Sequence, residues 1–352
     1  MTHRYVSTTI PYVNGEPHIG HALEFVLADV LSRHREPVYF QSGTDENSLK
    51  NVLAAEAAGV PTPAYVETQS RQFAQLATAL GLELTDFIRT STDPRHQPVV
   101  EAIWRACADA GDIYQADYEG LYCVGCEQFY AEVELRDGRC PEHGTPPERV
   151  SEANYFFRLT RYREQLIEWV STGRLAIEPI SKRNEVLAFL SRLTEDLSIS
   201  RSAKRAHGWG IPVPGDPSQV IYVWFDALVN YLSAPGAPQW ASFDSITHIV
   251  GKGVSRFHAV YWPAILLSAG QRLPDRIWVH GYVTVDGQKI GKSLGNAIHP
   301  GAIVDRLGPD PFRYFFLRHV GCTRDGDFSL ARYDEVYEQE LVNQLGNLNK
   351  CS

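Results

Sequence analysis

The residues of this chain best suited to chemistry lie in three short segments. In the first, Pro17-His18-Ile19-Gly20-His21 sets two imidazoles three residues apart around a glycine. In the second, the glycine-rich run DGQKIGKS carries Lys289, Lys292 and Ser293. In the third, Cys123, Cys126, Cys140 and His143 follow the pattern C-x2-C-x13-C-x2-H. That spacing gives two short turns, each offering a pair of ligands, and suits a closed tetrahedral zinc site. Four protein ligands leave no position for substrate, so the expected zinc is structural and does no chemistry. Cys107, Cys322 and Cys351 lack such a pattern and read as structural.

A strand-to-helix junction must position the histidines. Tyr5 to Ile10 is rich in β-branched and aromatic residues, and Leu23, Val26, Leu27, Val30 and Leu31 recur at helical spacing. The histidines therefore sit at a helix N-terminus, where unsatisfied N–H groups and the positive end of the macrodipole favour an anion such as phosphate. Gly20 lets a large ligand approach the backbone, and His18 and His21 share one side of the first turn. The lysine run follows a strand, and lysines on a mobile loop can close over a triphosphate and neutralise the charge on a departing pyrophosphate. Each motif alone also fits a plain helix start or a solvated turn. Their co-occurrence points to a nucleotide.

Residues 1–111 alternate strand and helix: a strand over 37–43, then helical stretches closed at Gly59, near Gly81 and at Gly111. The alternation predicts an α/β fold with a parallel sheet whose ligands lie at the carboxyl ends of the strands. Residues 112–215 are aromatic and turn-rich, then helical around 160–200, and read as an inserted domain. The α/β pattern returns over 216–298 with VIYVWFDALVNYL, THIVGKG, a helix across 255–269 and the strand IWVHGYVTV. Residues 299–352 read as helical. The chain has 352 residues, 44% of them hydrophobic and 21% charged, as expected of a globular protein of two or three domains. No apolar run approaches the roughly 20 residues that span a bilayer, and the N-terminus lacks an export signal, so a cytoplasmic protein without a membrane partner is expected. A net charge of −9 argues against a DNA-coating protein but permits a local basic patch for RNA.

Ordered segments along nearly the whole chain carry a resemblance: PYVNGEPHIGHA, SGTDE, DFIRT, AGDIY, YEGLYCVGCEQFY, NYFFRL, RNEVLAFL, DLSISR, WGIPVP, YVWFDALVNY, RFHAVYWPA, VHGYVTVDGQKIGKS and DGDFS. The chain resembles the class I aminoacyl-tRNA synthetases, and among them the methionyl-tRNA synthetase family. The resemblance implies a Rossmann-like catalytic domain in two halves (1–111 and 216–298), a connective insert with a zinc knuckle (112–215) and a helical stem-contact segment (299–352). It implies that His18 and His21, with Gly20, meet the phosphates of ATP, used with Mg2+. Lys289, Lys292 and Ser293 would stabilise the transition state of adenylate formation. It further implies a methionine pocket of Ile10, Tyr12, Trp224, Ala227, Leu228, Tyr231, Val254 and His258, with Asp45 receiving the substrate ammonium and Arg201 beside the nucleotide. An aromatic and aliphatic pocket suits a flexible thioether, and one acid pairs the ammonium. Without the resemblance, Trp224 and Tyr231 read as core packing and His258 as a satisfied core histidine.

Five departures from the family pattern stand out. Its K-M-S-K-S reads K-I-G-K-S, its D-E-H-G reads Asp45-Glu46-Asn47-Ser48, and its G-K-D reads Gly251-Lys252-Gly253. The link SRHREPVYF is short, and the sequence stops four residues after Leu348, where family members continue into an anticodon-reading bundle. The expectation is therefore methionine activation with transfer to the tRNA acceptor end, anticodon contacts being absent or supplied by a separate chain. The alternative is an amino-acid-activating ligase that serves a non-tRNA acceptor. The apolar positions of the last helix, which begins near 334, are expected to stand exposed.

Overall fold

The computed structural model describes residues 3–34, 37–125, 128–130, 132–142, 144–290 and 295–347. Cys126, His143, Lys292, Ser293, Leu348 and Cys351 lie outside these ranges. Strand β1 (Arg4–Ser7) buries Tyr5, Val6 and Ser7 on both faces, as a strand inside a parallel sheet must. It leads into helix α1 (Ile19–Arg33), which buries Leu23, Val26 and Leu27 as expected. Val30 is instead 39% exposed, and Asp29 is the buried residue on that turn, paired with Arg33 and Arg313. Strand β2 (Val38–Thr44) is followed by α2 (Leu49–Ala58), which Ser48 caps and Gly59 closes at φ 67°. Then come α3 (Thr62–Ala79), β3 (Asp86–Arg89) and α4 (His96–Asp109).

The next stretch contains β4 (Ile113–Cys123), β5 (Gln128–Tyr130), β6 (Glu148–Phe157), α5 (Arg163–Thr172), β7 (Ala176–Glu178), α6 (Ile180–Ser191), β8 (Leu197–Ser198), β9 (Ser200–Ser202), β10 (Pro212–Val213) and β11 (Asp216–Ile221). The chain then forms α7 (Val223–Ser233), α8 (Ala237–Ser242), β12 (Ser245–Gly251), a widely wound turn at Phe257–Tyr261 leading into α9 (Trp262–Ser268), β13 (Arg276–His280), β14 (Val283–Val285) and β15 (Gln288–Lys289). Its last described elements are α10 (Pro300–Leu307), α11 (Pro309–Phe315), β16 (Gly326–Phe328), α12 (Leu330–Val336) and a looser helix over Tyr337–Gly346.

Six strands build the main sheet in the order β3-β2-β1-β12-β13-β7, every neighbouring pair parallel. One face packs against Trp104 of α4, Phe225 of α7 and Trp262 of α9. The other packs against Phe25 of α1, Phe312 of α11 and Tyr333 of α12. The chain order reverses between β1 and β12, so the crevice at their carboxyl ends is where such a sheet takes a ligand.

Three features differ from the sequence reading. Strand β7 lies in the stretch read as the insert, yet it pairs Ala176, Ile177 and Glu178 with Arg276, Ile277 and Trp278 and closes the edge of the main sheet. The insert's own sheet is the antiparallel β5-β4-β6-β8, while the antiparallel β10-β11-β9 joins its end to β11 (Asp216–Ile221), beyond residue 215. IWVHGYVTV splits into β13 and β14, in different sheets, because the chain presses against Arg324 at Gly281, where a Cβ would come within 2.2 Å of backbone. Strand β16 interrupts the region read as wholly helical by pairing with β14. On the last helix Val342 and Leu345 stand exposed, whereas Tyr337 and Leu341, expected in the same apolar stripe, are half-buried.

Candidate active site

A cavity of about 430 Å³ opens at the carboxyl ends of β1, β2 and β12. Of the residues expected from the sequence, Ile10, Tyr12, His18, Gly20, His21, Asp45, Trp224 and Val254 line it.

The histidines cap their own helix. The Gly20 N–H donates to His18 Nδ1 (3.1 Å) and the His18 N–H donates to His21 Nδ1 (3.1 Å), while the two rings stack 3.8 Å apart. Because each Nδ1 accepts, a neutral ring carries its proton on Nε2, making that atom the donor. Burial, with a smaller contribution from His18, holds His21 well below the ordinary imidazole range. His21 therefore acts as a neutral donor, whereas a charged imidazolium would have to be desolvated. A Cβ at Gly20 would meet the His18 ring at 3.0 Å and the Ile290 side chain at 4.0 Å. The lysine loop thus abuts the histidine turn on one side, and the Ile19 N–H donates to Ile298 O (3.1 Å) on the other.

The opposite part of the cavity is apolar with one acid. Asp45 is 1% exposed and is tied to the segment after β1 by its N–H, which donates to Pro11 O (2.9 Å). Trp224 stacks on Phe257 at 3.8 Å and meets Tyr12 edge-on at 6.1 Å. The remaining expected pocket residues lie behind this wall. Ala227 packs with Ile10 and Ile88, and Leu228 belongs to the main core. The Tyr231 hydroxyl donates to His258 Nε2 (2.7 Å), and His258 Nδ1–H donates to Val254 O (2.9 Å). Burial lowers the His258 pKa to about 4, so this ring is neutral too.

Two expected residues sit elsewhere. Arg201 is buried beside Tyr122, donating to its hydroxyl (2.7 Å), and borders a water-sized gap away from the main cavity. Lys289 lies outside the cavity wall, with Nζ 3.4 Å from Glu142. Of the expected zinc ligands, Cys123 and Cys140 are buried together with Tyr130 and Leu135 and form no disulfide. Among the described residues no group of three or more metal-capable side chains occurs, the other two expected ligands lying outside them.

Sequence reasoning missed Glu24, His280 and Tyr282, all on the cavity wall. The Thr9 N–H donates to Glu24 Oε1 (2.6 Å), and His280 Nε2 lies 2.7 Å from Glu24 Oε2. The available signal was spacing: Glu24 follows His21 by three residues and so shares its helix face. His280 and Tyr282 flank the interruption between β13 and β14 that a continuous strand pattern conceals.

The description tRNA synthetases class I (M) belongs to a family model that matches residues 4–148 and 132–351. The chain is a member of that family. It is 43% identical to the methionine–tRNA ligase of Mycobacterium tuberculosis and 42% identical to that of Brucella suis, in each case over 99% of this chain and 69% of the relative. Its fold matches the crystal structure of M. tuberculosis methionyl-tRNA synthetase bound by methionyl-adenylate with a TM-score of 0.92 at 42% identity, over 99% of this chain and 70% of that one. Against the free state of the same enzyme the TM-score is 0.81 at 38% identity, over 99% and 68%.

Proposed function

We propose that this chain is a methionine–tRNA ligase, which activates methionine with ATP to methionyl-adenylate and passes the methionyl group to the acceptor end of tRNA. One observation carries this reading. A single cavity holds the stacked histidine pair at a helix N-terminus together with a buried acid, Asp45, and the aromatic wall of Tyr12 and Trp224. The first set suits phosphate oxygens, and the second suits an ammonium beside a thioether side chain. The relatives named above bear the same activity in their names, and nothing favours a non-tRNA acceptor.

In the reaction the methionine carboxylate attacks the α-phosphorus of ATP, the α–β bridging P–O bond breaks, and pyrophosphate leaves. No protein nucleophile is required, so catalysis is positioning and electrostatic stabilisation. Asp45 anchors the ammonium and thereby aims the carboxylate. His18 and His21 present Nε2–H donors to phosphate oxygens. Lys289 and Lys292, with Ser293, neutralise charge on the departing pyrophosphate. Magnesium would travel with the triphosphate and share that charge. Ala227, Leu228, Tyr231 and His258 shape the pocket from behind Trp224, and Arg201 braces the adjoining insert through Tyr122.

Cys123 and Cys140, buried side by side in the insert, fit a thiolate pair. Together with Cys126 and His143 they would hold zinc, which would close the knuckle and leave no open coordination position.

The test runs methionine-dependent ATP–pyrophosphate exchange beside transfer of labelled methionine to total tRNA. Both signals are expected. Exchange without transfer would overturn the tRNA half of the reading, and neither signal would overturn all of it.

A further inference from the structure

The first lysine of the K-x-x-K-S run is placed by contacts that the reaction does not itself require. Lys289 Nζ lies 3.4 Å from Glu142, on the knuckle loop, and 5.3 Å from the centre of the Tyr282 ring. Tyr282, unlike Lys289, is part of the cavity wall. It is held firmly there. Its N–H donates to Asp325 Oδ1 (2.9 Å), and the Lys252 ammonium, paired with Asp325 at 2.6 Å, sits 4.3 Å from the centre of the same ring. Gly253 supplies the room: a Cβ at that position would meet the Tyr282 hydroxyl oxygen at 2.3 Å. The ring is therefore a fixed surface between the cavity and the outer resting place of Lys289.

We propose that Tyr282 is a positioning residue for adenylate formation, its ring carrying the Lys289 ammonium between an outer station on Glu142 and the triphosphate. The proposal rests on the reading of the cavity as an ATP site. An aromatic face attracts a cation without neutralising it and without demanding one geometry, so the ammonium can slide across it with its charge intact. Glu142 behaves differently, because its carboxylate competes with phosphate for the same charge. Both partners of that ion pair are at least half exposed, and such pairs are weak enough for a triphosphate to displace. Lys252 does not substitute for Lys289, since Asp325 already engages its charge.

Two variants at one position separate ring from hydroxyl. Tyr282→Leu should lower kcat for methionine-dependent ATP–pyrophosphate exchange by about three- to thirtyfold, the range expected for loss of a cation–aromatic contact, with the KM for methionine unmoved. Tyr282→Phe should retain most of the rate, and Glu142→Gln should lower the KM for ATP by releasing the outer station. A leucine variant as fast as wild type overturns the proposal. So does a phenylalanine variant as slow as the leucine one, which would make the hydroxyl the working group, and so does a Glu142→Gln enzyme with an unchanged KM for ATP. Thermal shift with magnesium-ATP, run on the wild type, keeps the two readings apart. A wild-type chain that neither binds ATP nor exchanges loses the ATP-site reading and this proposal with it, whereas normal wild-type behaviour with contrary variants removes only the proposal.

Discussion

Replacing His21 tests the helix-start reading most directly, because the residue does two separable things. Its Nδ1 accepts the His18 N–H at 3.1 Å, a capping bond worth about 1 kcal/mol to the helix. Its Nε2–H, fixed as a donor by that same bond, is assigned to the reacting phosphates, where loss of one preorganised donor raises the barrier by about 3–4 kcal/mol. His21→Ala removes both contributions. His21→Asn keeps a short acceptor near the cap but cannot place a donor where Nε2–H stands. Stability by urea denaturation should therefore fall by roughly 1 kcal/mol in the alanine variant and by less in the asparagine variant. Exchange kcat should fall in both by about 100- to 1,000-fold. The KM for methionine should stay put, since the proposed function assigns that substrate to Asp45 and Trp224, elsewhere on the cavity wall. The residual rate should show no ionisation of residue 21 in either variant, and the wild-type profile should show none near the ordinary imidazole pKa, because burial keeps His21 neutral there. An asparagine variant within threefold of the wild-type rate, at matched stability, would refute the donor role.

Three further outcomes are expected. Asp45→Asn should raise the KM for methionine by about 10- to 100-fold, the worth of a charged hydrogen bond, and leave the KM for ATP alone; equal movement of both constants would show that Asp45 shapes the whole cavity instead. His258 titrates at about 4 in the folded chain and near 6.5 when unfolded, so the unfolded state binds more protons between those values and stability drops on acidification across that window, by roughly 3 kcal/mol from this ring alone. A urea midpoint that stays level from pH 6.5 to pH 4 would contradict its burial as a neutral group. Strong chelation, or Cys140→Ser, should raise the hydrogen exchange of residues 120–145 before the main sheet loosens, and unchanged protection there would remove the structural zinc.

Much of the site was legible from the sequence because its signals are local. The 3.6-residue period of α1, the buried run of β2 and the His18–His21 spacing all lie within a few turns of one another, so the chain states them directly. Residues such as Tyr231 and His258 could be tied to the pocket only through the resemblance, and they stand behind Trp224 because the Trp224–Phe257 stack closes the wall before them. What stayed hidden depends on distant partners. Strand β7 has three residues, too few for a period, and exists only because β13 offers it an edge. Val30 and Asp29 exchange their expected places since Arg313, far along the chain, pairs the buried carboxylate. Glu24 meets His280, 256 residues away in sequence, at 2.7 Å on the cavity wall.

That short strand also bears on how the molecule could be taken apart. A cut at residues 112 and 215 would look natural from the sequence, lifting out a self-contained module. It would in fact strip the last rung from the main sheet and bare the backbone of Arg276–Trp278 to solvent and to other chains, which is how sheets begin to stick together. It would also withdraw Leu166 and Leu190 from the core against one sheet face. Grafting or deleting this region should therefore spare 163–191 and be confined to the far end of the antiparallel β4–β6 pair, because Ile113 and Phe157 at its near end belong with the same core.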